Sequence, residues 1–225
     1  KGSGMIHPNM ATMISVITTD IAINPELLKK ALKTAADSSF NRISVDGDTS
    51  VCDKVIILAN GMAGNTVIDK EGPEYDAFLS VLLEVSESLA KMLAKDGEGA
   101  TKLVEIRVKN CSDRESAHLI LNAIAKSPLV KTAIFGQDAN WGRIFTAAGY
   151  SGAKFDPDKV DIFIGDLLVC RNGTGLCFDE DKAAELLKKD EVVITLDFKD
   201  GSIDDRIWTC DFSYDYVRIN GSYRS

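Results

Sequence analysis

The chain has 225 residues, 45% of them apolar, enough to build a core in one large domain or two small ones. Its formal charge of −8 argues against nucleic acid or an anionic membrane as partner, and no apolar stretch approaches the ~20 residues that a membrane span needs. Five cysteines, Cys52, Cys111, Cys170, Cys177 and Cys210, form no CxxC pair and are odd in number, which points to free thiols in a reducing cytosol.

In chain order, Thr12 to Thr19 reads as a buried strand. Asn24-Pro25 is a cap followed by proline at the first helical position, and Leu27, Leu28, Ala31, Leu32 and Ala35 fall on one helical face. Lys54 to Ala59 is predicted as a short buried strand. Glu74 to Ala94 is predicted as a long helix with Phe78, Val81, Leu82, Val85, Leu89 and Met92 facing inward and Gly97 as its stop. Lys102 to Lys109 alternates as a strand does, and Ser112-Asp113-Arg114-Glu115 has the form of a capping box opening a helix to about Lys126. Ala133-Ile134-Phe135 reads as a strand end before Gly136. Helices are expected over Trp141 to Ala148 and Asp181 to Lys189, with strands near Val160 to Ile164, Leu167 to Arg171 and Val192 to Phe198. A last helix is expected near Tyr214 to Ile219. Interleaved strands and helices, with hairpin-like neighbours late in the chain, favour an α/β fold of the α+β kind over a purely parallel sheet. The long helix ends near Gly99, which is the expected boundary.

The chemistry concentrates at Ala11-Thr12-Met13. A threonine hydroxyl needs a base beside it to attack a carbonyl, and the nearest possible base is its own α-amine. That amine exists only if the chain is cut before Thr12. Its pKa of roughly 7.7–8 leaves much of it unprotonated at neutral pH. Small Ala11 keeps the carbonyl at the cut accessible. Taken alone, however, Ala-Thr-Met is no more than an ordinary strand sequence.

Four separated blocks add to it: KGSGMIHPNMATM from Lys1 to Met13, DGEGATK from Asp96 to Lys102, FGQDANWGRI from Phe135 to Ile144, and the C-terminal YVRINGSYRS. Together, and in this order, they resemble the ornithine acetyltransferases, also called glutamate N-acetyltransferases, of the cyclic arginine pathway. The resemblance runs from end to end. It implies a layered α/β sandwich, N-terminal-nucleophile-like, made by a precursor that cuts itself between Ala11 and Thr12. Residues 1–11 would be the tail of the α chain, residues 12–99 a nucleophile-bearing lobe completed by that chain, and residues 100–225 a C-terminal α/β lobe. It implies Thr12 as nucleophile, with Lys1, Glu98, Asn220 and Ser225 contacting substrate. It further implies an α2β2 heterotetramer in the cytoplasm, no metal and no organic cofactor. In that family the oxyanion donors come from a Thr-Gly pair of the α chain, which the resemblance puts upstream of Lys1, and some members also accept acetyl-CoA as donor. Two departures stand out: Ile14 where leucine is usual, and Val51-Cys52-Asp53 where Thr-Asn-Asp is more often found.

Each residue also has a plainer reading. Lys1 beside a glycine-rich turn is normally solvated, although an ammonium suits an amino-acid carboxylate. Glu98 between two glycines is ordinarily a surface loop residue; the glycines also let backbone approach a ligand closely, and the carboxylate suits a substrate ammonium. Asn220 and Ser225 lie where chains usually fray. Asn140 to Arg143 fits a packed helix start as well as a site. Asp46-Gly47-Asp48-Thr49 is similar to aspartyl phosphotransferase loops but lacks their further partners, so a tight turn is expected unless the loop shapes the site. His7 and His118 make no triad, and no His/Cys cluster has zinc spacing. Two rivals stand beside the acetyltransferase: an N-terminal-threonine amidohydrolase or aminopeptidase, with water as acceptor, and a non-catalytic binding protein in which Thr12 is only a strand residue.

Overall fold

In the computed structural model, residues 1–7, 13–50 and 53–222 are described. The chain divides into two units, Lys1–Leu93 and Ala94–Ser225, with the division inside the last turn of the long helix, ahead of Gly99.

The first unit runs β1 (Ile14–Thr19), α1 (Pro25–Ser38), the short β2 (Ile43–Ser44), β3 (Lys54–Ala59) and α2 (Pro73–Lys95). Asn24 caps α1 as its spacing requires: its Oδ1 accepts from the Glu26 N–H at 2.8 Å, and Pro25 fills the first turn. β1 and β3 pair in parallel, from Ile14 opposite Lys54 to Thr19 opposite Ala59. Ile17 and Ile57 pack toward a cluster of Ala31, Ala35, Ile68, Tyr75 and Leu82.

The expectation of two buried strands is corrected here. Among the described residues only one face of this pair is covered; Ile14, Val16, Ile56 and Leu58 on the other face are exposed. Their apolar runs had the form of strands buried on both sides, and the helices of this unit cover one side. The inner face of α2 is corrected as well. Tyr75, Leu82, Ser86 and Ala90 are buried, whereas Val81, Val85 and Met92 are exposed. Small Ser86 and Ala90 mark the buried stripe, and a count of large apolar side chains misses them.

The second unit runs β4 (Leu103–Cys111), α3 (Arg114–Lys126), α4 (Pro128–Phe135), α5 (Trp141–Gly149), β5 (Asp161–Ile164), β6 (Leu167–Arg171), β7 (Thr174–Gly175), α6 (Glu180–Leu187), β8 (Glu191–Asp197), β9 (Ile203–Cys210) and α7 (Tyr214–Ser222). Within it the strand order is β9-β4-β8-β5-β6-β7. β4 is parallel to β8 and antiparallel to β9, so the sheet is mixed. Val104, Ile106 and Val108 of β4 join Ile120, Leu121 and Ile124 of α3 and Ile194 and Leu196 of β8 in one buried core.

Three local expectations change. The strand end at Ala133-Ile134-Phe135 is helix α4: Ser127 caps it, Pro128 opens it, and Val130, Ala133 and Ile134 are buried at helical spacing. Helix α3 is capped by Asp113 rather than Ser112, since the carboxylate is the stronger acceptor at a helix N-terminus and takes the Ser116 N–H at 2.8 Å. Strand β9 has no counterpart in the sequence reading, because Asp204-Asp205-Arg206 hides its alternation, yet Ile207 and Trp208 are buried in it. Among the described residues no helix is long and apolar enough to cross a membrane.

Candidate active site

Thr12, Ala11 and Ser225 lie outside the described residues, as do Val51 and Cys52. The remaining site residues fall into two groups, one in each unit.

In the first unit the chain following Thr12 is fixed at once. Met13 is buried; its carbonyl accepts from Lys54 N–H at 2.8 Å, and its own N–H is held by the Asp53 carboxylate. Lys1 stands beside the next residue. The Ile14 N–H donates to the Lys1 carbonyl at 2.9 Å, and the Lys1 α-nitrogen donates to the Ile14 carbonyl at 2.8 Å. This is the paired exchange of an antiparallel ladder, which sets two residues directly opposite each other. Lys1 is therefore laid along β1, with its side chain exposed.

The loop Asp46-Gly47-Asp48-Thr49 is a turn, as expected, closed by Asp48 N–H on Asp46 Oδ1 at 3.2 Å with Gly47 at φ +85°. The turn also reaches outward. Asp46 takes the N–H groups of Met5 at 2.6 Å and Ile6 at 3.0 Å, and the Thr49 hydroxyl donates to the His7 carbonyl at 3.0 Å.

In the second unit Glu98 and Asn220, 122 positions apart, meet: the Asn220 amide donates to Glu98 Oε2 at 2.9 Å. The loop carrying Glu98 is held from several sides. Ser213 Oγ donates to the Gly99 carbonyl, and Gly99 at φ +69° lies so close to α7 that an added Cβ would be 2.4 Å from Tyr216 N. Buried Asp211 accepts from Thr101 N–H at 2.7 Å and Lys102 N–H at 2.9 Å. The base of α7 is fixed by Phe212 stacked on Tyr216, ring centroids 4.3 Å apart, and by Phe135 edge-on to Tyr214 at 5.5 Å. Fully buried Lys131 places its ammonium 4.5 Å from the Phe212 ring and donates to Thr209 Oγ1 at 2.7 Å.

Sequence reasoning did not find Asp53, Asp211, Ser213 or Lys131. Their partners are backbone groups or residues distant in the chain, and no local spacing announces that. The block around Asn140 has the plainer role. Asn140 caps α5 by accepting from Arg143 N–H at 3.1 Å, and the Arg143 guanidinium donates to the Leu129 carbonyl at 2.9 Å. Cys111, Cys170, Cys177 and Cys210 form no disulfide. Burial, reinforced by Asp113, Asp204, Asp205 and Asp197, pushes the Cys111 thiol up to about 12, which leaves it a poor nucleophile.

The family model for the ArgJ family matches residues 1–225, the whole of the chain. The chain belongs to the ArgJ family. It is 54% identical over 229 residues to the arginine biosynthesis bifunctional protein ArgJ of Thermotoga neapolitana, covering 100% of this chain and 58% of that protein. Identity to the ArgJ protein of Symbiobacterium thermophilum is 53%, covering 100% of this chain and 56% of that one. The chain thus spans a little over half the length of the curated ArgJ relatives it matches. Among solved structures, the arginine biosynthesis bifunctional protein ArgJ of Bacillus halodurans superposes with a TM-score of 0.91 at 42% identity, over 94% of this chain and 100% of that one. The mixed α/β architecture described above is therefore the ArgJ fold.

Proposed function

We propose that this chain is the nucleophile-bearing part of a self-cleaving acetyltransferase of arginine biosynthesis, which moves an acetyl group from N2-acetylornithine to glutamate. The observation that carries this reading is the meeting of Glu98 with Asn220. The family resemblance assigns both residues to substrate, and they come from opposite ends of the second unit to share a hydrogen bond. Family membership supports it, and so does the pairing of Lys1 with Ile14, two residues beyond Thr12.

The chemistry follows from residue types. Cleavage before Thr12 frees its α-amine, which takes the proton from Oγ as Oγ bonds to the acetyl carbon. The acetyl C–N bond then breaks, and ornithine leaves with that proton. The glutamate amine attacks the acetyl-Thr12 ester and departs as N-acetylglutamate, returning the hydroxyl. Glu98 receives a substrate ammonium, and Lys1, Asn220 and Ser225 hold its other polar ends. The oxyanion donors belong to the upstream α chain. The same α chain covers the exposed face of Ile14, Val16, Ile56 and Leu58, since parallel strands are normally buried on both faces. The assembly is an α2β2 heterotetramer in the cytoplasm, without metal or organic cofactor, and acetyl-CoA is a candidate second donor.

Acid quenching tests the covalent step. One threonine holds one acyl group at a time, so acetylornithine alone should add one acetyl mass to the peptide beginning at Thr12, and glutamate should discharge it. Double-reciprocal plots should be parallel when glutamate is varied at several acetylornithine concentrations. Intersecting lines together with no acetylated peptide would mean direct transfer in a ternary complex. Acetate released at the same rate without glutamate would instead identify an amidohydrolase.

Glu98→Gln isolates recognition. A charge-assisted hydrogen bond contributes roughly 1.5–3 kcal/mol, so kcat/KM should fall about ten- to hundredfold with the melting temperature unchanged. Unchanged kinetics would remove Glu98 from the site.

A further inference from the structure

Val45, Asp46, Thr49, Asp53 and Lys54 hold residues that precede and follow the Ala11–Thr12 bond in the chain. Upstream, Val45 N–H donates to the Ile6 carbonyl at 2.6 Å, the Asp46 carboxylate takes the Met5 and Ile6 N–H groups at 2.6 and 3.0 Å, and Thr49 holds the His7 carbonyl. Downstream, the Asp53 Oδ1 takes the Met13 N–H, and Lys54 N–H holds the Met13 carbonyl. The two aspartates bond backbone N–H groups through ionisable carboxylates, and such charge-assisted bonds are roughly twice as strong as neutral ones.

Asp53 has a second property. Its Oδ2 is enclosed and meets no hydrogen-bond partner among the described residues. Leaving such an oxygen unpaired is costly, and a donor placed against it removes that cost. Burial pushes the Asp53 carboxyl up, while the Met13 N–H works against that rise. Met13 directly follows Thr12, so Asp53 holds the residue next in sequence to the nucleophile. Other charges border the same cavity of about 700 Å³: Lys54 on β3, and Glu26, Lys29, Lys33 and Asp37 on α1, together with Lys30, which is paired to Glu71. Lys1 lies along β1 on the other side.

We infer that Val45, Asp46, Thr49, Asp53 and Lys54 together form the clamp for self-cleavage, and that Asp53 Oδ2 receives the Thr12 ammonium in the cut enzyme. This rests on the Thr12 reading above. When the α-amine takes the Oγ proton, it becomes the cation that Asp53 stabilises; the proton passes on to the departing ornithine nitrogen as the C–N bond breaks. Asp53 neither takes nor gives a proton in these steps and acts by position.

The test uses the full-length precursor carrying this sequence. Asp53→Asn keeps an acceptor for Met13 N–H but removes the charge and weakens that bond, so cleavage should slow only a few-fold and still yield cut enzyme. Loss of an opposite charge lowers the amine's pKa, and the free amine is the active form. The acid limb of kcat/KM should therefore move to lower pH by about one unit or more. Asp53→Glu, which keeps the charge, should hold the limb near its wild-type position. Asp53→Ala and Asp46→Ala lose an anchor, and intact mass should show cleavage at least about tenfold slower, with Asp46→Asn recovering most of the rate. Should Asp53→Asn not accumulate as folded protein, Asp53→Ser, which can still accept from Met13, carries the same pH measurement. An unmoved acid limb in the uncharged variant overturns the charge role. Wild-type cleavage in both alanine variants overturns the clamp. Wild-type precursor that neither cuts before Thr12 nor acetylates it sinks the Thr12 reading itself, an outcome separable from the other two.

Discussion

Thr12→Ala in the full-length precursor should leave a single uncut chain, with acetyl transfer at background. Two separate steps converge on one hydroxyl. In the mechanism proposed above, cleavage needs Oγ to attack the Ala11 carbonyl, and transfer needs both Oγ and the amine that cleavage exposes. Alanine removes the first and thereby withholds the second, so no partial phenotype is expected. A melting curve on the same sample checks that the uncut precursor is folded. Intact mass and an acetylornithine assay on the same sample read both steps. Efficient cutting in this variant would show that another protease makes the cut. Thr12→Ser is the informative companion, since it keeps a hydroxyl and an α-amine and should retain both steps at reduced rate.

The parts of the fold legible in the sequence are those in which a local signal and the tertiary context agree. Asn24-Pro25 announces α1, and the Lys54–Ala59 run gives the bounds of β3, because cap chemistry and β-branched runs act over a few residues. Which face of an element is buried was less legible. Val81, Val85 and Met92 look inward on a helical wheel, but α2 buries Tyr75, Leu82, Ser86 and Ala90, a choice set by what packs against it. Strand β9 is hidden for the opposite reason: charge falls on both of its faces, Asp205 standing opposite buried Val108 and Arg206 opposite Arg107 on the half-covered side, where Glu105 receives both Arg107 Nε at 2.6 Å and Trp208 Nε1 at 3.0 Å. Of the candidate site, Glu98 and Asn220 were found through motif resemblance, and their mutual hydrogen bond needed coordinates. Asp53 and Asp211 were out of reach for a physical reason. A carboxylate that holds backbone N–H groups leaves no mark on the sequence of the segment it holds.

Gly99→Ala is expected to be the most damaging one-carbon change near the Glu98–Asn220 pair. The residue sits at φ +69°, where a side chain costs about 1–2 kcal/mol. An added Cβ would also lie 2.4 Å from Tyr216 N, 2.8 Å from the Asp215 carbonyl carbon and 2.9 Å from Tyr216 Cα. All three are backbone atoms, so no rotamer change relieves the clash, and overpacking of this kind costs a further 1–3 kcal/mol or so. Either the Gly97–Lys102 loop or the start of α7 must move. The Ser213–Gly99 bond and the Phe212–Tyr216 stack resist both movements. A combined loss of about 2–5 kcal/mol should lower the melting temperature of the unit by roughly 5–20 °C. Movement of α7 also displaces Asn220 from Glu98, so kcat/KM should fall at least as far as in Glu98→Gln. Gly149→Ala is the control, since a Cβ there meets nothing within 4 Å, and it should leave both quantities unchanged. A Gly99→Ala enzyme with wild-type melting and kinetics would show that the loop has room that the Gly99–Tyr216 approach denies it, and the idea that this contact sets the Glu98–Asn220 geometry would fail.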